Sequence, residues 1–472
     1  MNAEKTDHTL EDFLSENEHG HMDEETGLTL HPEFIEDIIT AIDAEDAAAL
    51  CTLVEPLHAA DQAELLDRLN HDQRVILTAA LRATFDSDVL PELSPEAAED
   101  VMEALGAKAS AVALSELETD DAIHIFEDLT PQDQQLILDE LPADKRGELQ
   151  SSLQYPEDSA GRLMRRKLVS VPEGWTVGNT IDYLRDSADL PENFYVIYIV
   201  DEYDMPMGRL LLGTMLHHRR EIAIRDIMTT EIYAVNGTVD QEEVAFLFRK
   251  YALVETPVIN DDGILIGTIT VDDVVDVIQE EEDEDYLRAG GVAGGDIKTR
   301  IMSTMRARFG WLFLNLVTAI AASTVISVFE GSIEQIVALA VLMPIVASMG
   351  GNAGTQSVTV AVRSIATRYL TDSNSKTFIL KETFIGLING LTLGTIMGAS
   401  AGLWFGDMWL GFVMFLAAVT TLTMAGLWGA VIPILITRFK GDPAISSSIF
   451  LTTITDCVGF FSFLGLATLI LL

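Results

Sequence analysis

One carboxylate stands inside the last apolar stretch of the chain: Asp456, in Thr452-Thr-Ile-Thr-Asp-Cys-Val-Gly459. An acid near the middle of a spanning helix costs roughly 2.5–3.5 kcal/mol on insertion scales, so it is kept where an ion, a proton or a buried partner uses it. The hydroxyls of Thr452, Thr453 and Thr455 lie close by in sequence. Oxygens of this kind suit a hard cation such as Mg2+, which sheds water reluctantly and takes few direct protein ligands. The plainer alternative is a protonated, hydrogen-bonded structural Asp. A second unusual stretch is Met343-Pro-Ile-Val-Ala-Ser-Met-Gly-Gly-Asn-Ala-Gly-Thr-Gln-Ser357. Pro344 removes a helical donor, and Gly350, Gly351 and Gly354 either break the span and loosen its backbone or let a neighbouring helix come close. These glycines are not a phosphate loop, because the Walker lysine is missing and the context is a membrane span. Lys381 and Glu382 read as an interfacial pair, with Lys381 reaching toward the headgroups.

Five apolar stretches carry these residues: 309–329, 333–347, 383–405, 409–436 and 447–472. Crossing a bilayer takes about 20 helical residues; four stretches qualify, and the second does so only if it runs on through Met349. Arg306 and Arg308 precede the first span, Arg363, Arg368, Lys376 and Lys381 lie between the second and third, and Arg438 and Lys440 between the fourth and fifth. The other two loops have Glu330, Glu334 and Asp407 but no Lys or Arg. The positive-inside rule then predicts a multi-pass protein of the inner (plasma) membrane, N-terminus cytoplasmic and C-terminus outside. The whole chain has 472 residues, 29 Lys and Arg, 74 Asp and Glu, and a net charge of −45, yet its mean hydropathy is positive. Residues 310–472 contribute only −1, which leaves −44 on the rest. So acidic a surface repels nucleic acid and attracts cations. The two cysteines, Cys51 and Cys457, form no disulfide framework, and the acidic N-terminus lacks the features of a signal peptide.

The acidic part has two patterns of its own. After a polar tail (1–30), in which His19 and His21 read as flexible segment and not as a metal site, leucine recurs at every twelfth position from Leu57 to Leu153. Leu93-Ser-Pro-Glu and Leu129-Thr-Pro-Gln each offer an N-cap and a Pro at the first helical position. Residues 31–155 are thus predicted to stack short helices into an acidic α-helical superhelix, with the leucines as core. Glu96, Glu99, Asp100, Asp120, Asp121, Glu127 and Asp128 fall on its solvent faces. Residues 156–280 alternate strands and helices and repeat once, with Met164 and Met228 opening the copies (156–218 and 219–280). They look like a tandem pair of CBS domains, which often sense adenine nucleotides. Thr270 and Asp273 match that family's ribose-binding signature, whereas the first copy has Leu211 and Thr214 there. Asp272, Asp273 and Asp276 serve equally as an acidic surface. A helix over 271–290 continues into Gln279-Glu-Glu-Glu-Asp-Glu-Asp285 and connects to the first span; divalent ions between its carboxylates would remove their repulsion.

Taken in this order, the chain resembles the MgtE family of magnesium transporters and channels over residues 31–472. The shared motifs are the Gly-Gly-Asn-Ala-Gly-Thr-Gln core ending at Gln356, Gly441-Asp-Pro-Ala444, and Thr455-Asp-Cys-Val-Gly459. The resemblance implies a multi-domain membrane protein: an all-α cytosolic superhelical domain, α/β tandem CBS domains, a connecting plug-type helix (271–290) and a five-helix α transmembrane domain (305–472). It implies a homodimer in the lipid bilayer with a pore Mg2+ site at Asp456, joined by Thr455, Thr452, Asn352 and Gly351. It also implies influx closed by cytosolic Mg2+ at Asp240, Glu242, Asp272, Asp273, Asp276, Glu281, Glu284 and Asp285, with ATP as an optional further ligand. Ala252 stands where some relatives have an acid, and Ser448 where some have an amide. The competing expectation is a membrane-anchored nucleotide sensor that signals to a partner. An enzyme is disfavoured, since no nucleophile and base are evident.

Overall fold

The computed structural model describes residues 29–187, 190, 191, 193–290, 292, 301–439, 441 and 443–472. Most of the polar tail, including His19 and His21, lies outside the described residues, as do Gly291 and Asp442. The chain forms two compact units that meet in sequence at Glu280 and Glu281.

Among the described residues of the first unit, eight helices come first: α1 (Pro32–Asp43), α2 (Ala47–Val54), α3 (Ala59–Arg68), α4 (His71–Leu81), α5 (Pro95–Glu116), α6 (Thr119–Asp128), α7 (Pro131–Glu140) and α8 (Ala143–Ser152). The leucine period has a structural cause. A ten-residue helix and its turn use up twelve residues, and Leu69, Leu117, Leu129 and Leu141 are each an extended C-cap turned into the core. All eight leucines from Leu57 to Leu141 are 9% exposed or less, while Leu153 is only partly buried. The period is interrupted twice. Between Leu81 and Leu93 there is only a short 3-10 turn, Ser87–Val89. Within α5 the helix breaks at Gly106, whose φ of 72° is a conformation that glycine adopts without steric cost. Thr130 caps α7 as expected, accepting from the Asp133 N–H. Ser94 does not cap α5; its hydroxyl donates to Asp67 Oδ1 at 2.5 Å and ties two repeats together.

Next come α9 (Ala160–Leu163), β1 (Ser170–Pro172), α10 (Val177–Asp186), β2 (Val196–Val200), β3 (Pro206–Leu211), α11 (Leu212–Leu216), β4 (Val235–Asn236), α12 (Gln241–Tyr251), β5 (Glu255–Ile259) and β6 (Leu265–Thr270). The strands make two sheets of equal topology, β1-β2-β3 and β4-β5-β6, each with a parallel and then an antiparallel pair. Even the register shift recurs, at Ile199/Val200 and at Val258/Ile259. The assignment of each opening methionine to its own copy needs correction, because the two are exchanged. Met164 is buried in the second core against Gly267, and Met228 packs on Gly208 of the first. Each thioether fills the space a glycine leaves. Helix α13 (Val271–Ala289) follows β6 directly.

In the second unit, α14 (Ile301–Ser327), α16 (Ala338–Ala366), α17 (Ser375–Phe405), α18 (Met408–Arg438) and α19 (Pro443–Leu471) are the five described helices long and apolar enough to cross a membrane. A short helix, α15 (Glu330–Gln335), takes up what the sequence offers as the start of the second span. The expected break in that span is not present. α16 is continuous through Pro344 and all three glycines, of which Gly350 and Gly354 serve close helix approach. A Cβ on Gly350 would lie 2.6 Å from Thr421 Cγ2, and one on Gly354 2.8 Å from Leu451 Cδ2. Between α17 and α18 a glycine ridge, Gly386, Gly390, Gly394 and Gly398, meets the backbone of Leu422, Val419, Phe415 and Gly411. Small residues one turn apart let the two helices pack backbone to backbone.

Candidate functional site

Asp456 lies midway along α19, partly exposed, with Thr452 exposed one turn before it. The adjacent helix α16 touches this segment through Gly350, whose Cβ position is 3.6 Å from Thr455 Cβ. Beyond that contact Gly351 has open space, and Asn352, Thr355 and Gln356 are exposed. Four of the five candidate pore residues therefore reach open surface of the single chain. Thr455 does not: it is 1% exposed, and its hydroxyl donates to the Thr452 carbonyl at 3.1 Å. Behind it Thr421 is buried against Gly350 and Gly459, its Oγ1 without a hydrogen-bond partner. Nothing in the sequence marks Thr421 among the many Thr residues of α18.

Glu382 corrects a second expectation. It is 7% exposed and accepts from the Ser357 hydroxyl at 2.8 Å. Helix α17 starts at Ser375, so two turns of helix precede Glu382 and carry it below the surface. Lys381 stays exposed, so the two are not a matched interfacial pair.

The regulatory candidates are spread over two elements, with those from Glu281 onward already in the second unit. Asp240 is the N-cap of α12, its Oδ1 accepting from the Glu242 N–H at 2.9 Å. Asp272, Asp273 and Asp276 lie on the first turns of α13, and Glu281, Glu284 and Asp285 further along the same helix, where Glu284 pairs with Arg288. Among the described residues, no three His, Cys, Asp or Glu side chains converge as a metal-holding set. The carboxylates that do converge include Asp120, placed on a solvent face above. Asp120 is 7% exposed and meets Arg165, whose guanidinium also binds Asp272 and Asp273. Glu127 pairs with Arg162. Burial, with the Asp273 charge second, pushes the Asp120 carboxyl well up and that of Asp121 to about 6. Burial also raises Asp273 and Asp276. Burial works against the Arg165 charge, but Asp120, Asp273 and Asp272 outweigh it and hold its pKa up. The available signal was the run Arg162, Arg165, Arg166, Lys167, basic residues clustered in a part of the chain dominated by acids.

Three family models match the chain: the divalent cation transporter (MgtE) model over residues 343–466, the MgtE intracellular N domain over 57–158 and the CBS domain over 224–280. A magnesium transporter MgtE of Thermus thermophilus is 35% identical over 437 residues, 91% of this chain and 97% of that one. One of Bacillus subtilis is 32% identical over 328 residues, 69% and 72% of the two chains. Among solved structures, the cytosolic domain of the Mg2+ channel MgtE in complex with ATP aligns with a TM-score of 0.48 at 32% identity, over 52% of this chain and 99% of that one. The chain belongs to the MgtE family of divalent cation transporters.

Proposed function

We propose that the protein carries Mg2+ into the cell along a path formed where two copies of the second unit meet, with Asp456 as the intramembrane ligand. One observation supports this most directly. Asn352, Thr355, Gln356 and Thr452 are exposed, and Asp456 half-buried, on helices long and apolar enough to cross a membrane. Lipid tolerates such groups poorly, so they belong against protein or water. A second copy laid on this face would enclose them. The ligands offered are oxygens: the Asp456 carboxylate, the Thr452 hydroxyl and the Asn352 amide, whereas the Gly351 carbonyl lies inside the unbroken α16 and accepts from the Thr355 hydroxyl at 2.9 Å. A partly hydrated Mg2+ would need only a few of these. A negative-inside potential gives inward movement of a divalent ion about 4.6 kcal/mol per 100 mV.

Feedback belongs to the acidic first unit and α13. When cytosolic Mg2+ is low, the carboxylates at Asp240, Glu242, Asp276, Glu281, Glu284 and Asp285 repel and spread. When it is high, the ion screens them and α13 settles into the closed position. A nucleotide ribose at Asp273 would compete with the donors its two oxygens already have, Thr270 and Arg165. No step is assigned to it. The transport reading is tested by Mg2+ uptake into liposomes. Asp456→Asn should lower the initial rate by at least about tenfold, the effect of removing one charge-assisted ligand. An unchanged rate would remove Asp456 from the path.

A further inference from the structure

The transport reading leaves Arg165 unused. The residue follows the buried Met164, and its own main chain is paired with Thr268 of β6, N–H to O at 2.8 Å one way and 2.9 Å the other. The guanidinium is therefore delivered by backbone fixed to the second sheet. Its Nε lies 3.3 Å from Asp120 Oδ2 on α6, and a terminal nitrogen lies 3.0 Å from Asp272 Oδ2 and 2.5 Å from Asp273 Oδ1. One cation thus joins the helical region to the start of α13. Asp120 is 7% exposed, and its second oxygen has no hydrogen-bond partner. Withdrawing Arg165 would leave buried charge uncompensated. The other oxygen of Asp273 accepts from the Thr270 hydroxyl at 2.6 Å. Each oxygen of that carboxylate thus already has a donor, with which a ribose diol would have to compete.

We propose that Arg165 is a built-in cation that clamps α6 to the second α/β repeat without Mg2+ and competes with nucleotide ribose for Asp273. A side chain tethered to the sheet has a high effective concentration at the site and cannot be diluted away. Its planar fork also suits several carboxylates in a way a hydrated ion does not. This contact therefore persists when cytosolic Mg2+ falls, while the acid run on α13 stays sensitive to the ion. Helical-region contact and ribose binding become competing claims on one carboxylate. The inference goes beyond the transport reading and stands whatever ion the pore carries.

Hydrogen exchange on the full-length protein in detergent, with Mg2+ added or chelated, tests it without any flux measurement. In the wild type, amides of α6 (Thr119–Asp128) should exchange equally with and without Mg2+. In Arg165→Gln they should exchange at least about tenfold faster without Mg2+, and in Arg165→Lys the protection should return in large part. Amides of β5 (Glu255–Ile259), read in the same sample, report whether the repeat has kept its fold. In the nucleotide arm, ATP should slow exchange over residues 265–273 in Arg165→Gln at concentrations that leave the wild type unchanged. Wild-type exchange at α6 that follows Mg2+, or an Arg165→Gln protein as protected there as the wild type, would overturn the clamp. Equal protection of both proteins by ATP would overturn the competition with ribose.

Discussion

Asp456 was legible in the sequence because it is an acid in an apolar run, a conflict that needs no partner to be noticed. The residues around it were less so. Thr455 has the right chemistry but is turned into the packing against Gly350, and only the contact shows it. Arg165 was invisible for a different reason. Its partners lie 45, 107 and 108 residues away, so no local pattern joins them. Asp121 shares these surroundings and gives a test in pH. Its carboxyl is raised to about 6, by burial first and Asp273 second, so the fold favours its protonated form. Stability from that group is complete below the ordinary carboxylate range and is lost as pH rises through about 6. Near neutral pH the ionised Asp121 is a cost of at most about 3 kcal/mol. Asp121→Asn should raise the melting temperature of the full-length protein near neutral pH, and the gain should shrink as pH falls through about 6. A gain that grows on acidification would show that Asp121 is stabilised as the charged form.

Helices are only partly legible in the sequence, and the reason is physical. The twelve-residue leucine period can be seen because every repeat solves the same burial problem with the same C-cap position. The bounds of the spans cannot, since a helix ends where its capping groups end and not where hydropathy falls. Pro344 illustrates a related limit: one lost backbone bond does not break a helix held by neighbours along its length. Ala252, singled out in the sequence for an acid it lacks, proves to be the left-handed C-cap of α12, with φ 48°. The glycine ridge of α17 has a plain four-residue spacing, yet its meaning emerges only from what the glycines touch. A Cβ on Gly390 would lie 2.9 Å from Val419 Cα, a backbone atom that cannot step aside. Gly390→Val should destabilise the membrane unit by about 1–3 kcal/mol or more, seen as a lower melting temperature in detergent. Gly310→Val, at a glycine with open space around it, is the control. Equal melting of the two variants would mean that the ridge does not set the packing.

Over the whole molecule the charge of −45 divides into −44 ahead of residue 310 and −1 after it, and the two units meet in sequence within the acidic run of α13. That segregation was fully legible, as was the order of helical repeats, paired α/β repeats and spans, because each has its own hydrophobic period. What joins them was not, since contact between distant segments leaves no period. Such a division of charge suits a neutral path for a cation attached to a surface that responds to the same cation. Single-channel recording with a cation series measures both halves of this claim at once. The wild type should pass Mg2+ current that closes as Mg2+ rises on the side bearing the acidic unit, neutralising Glu281, Glu284 and Asp285 should blunt that closure, and Asp456→Asn should pass none. Mg2+ current of wild-type size through Asp456→Asn would contradict the central claim.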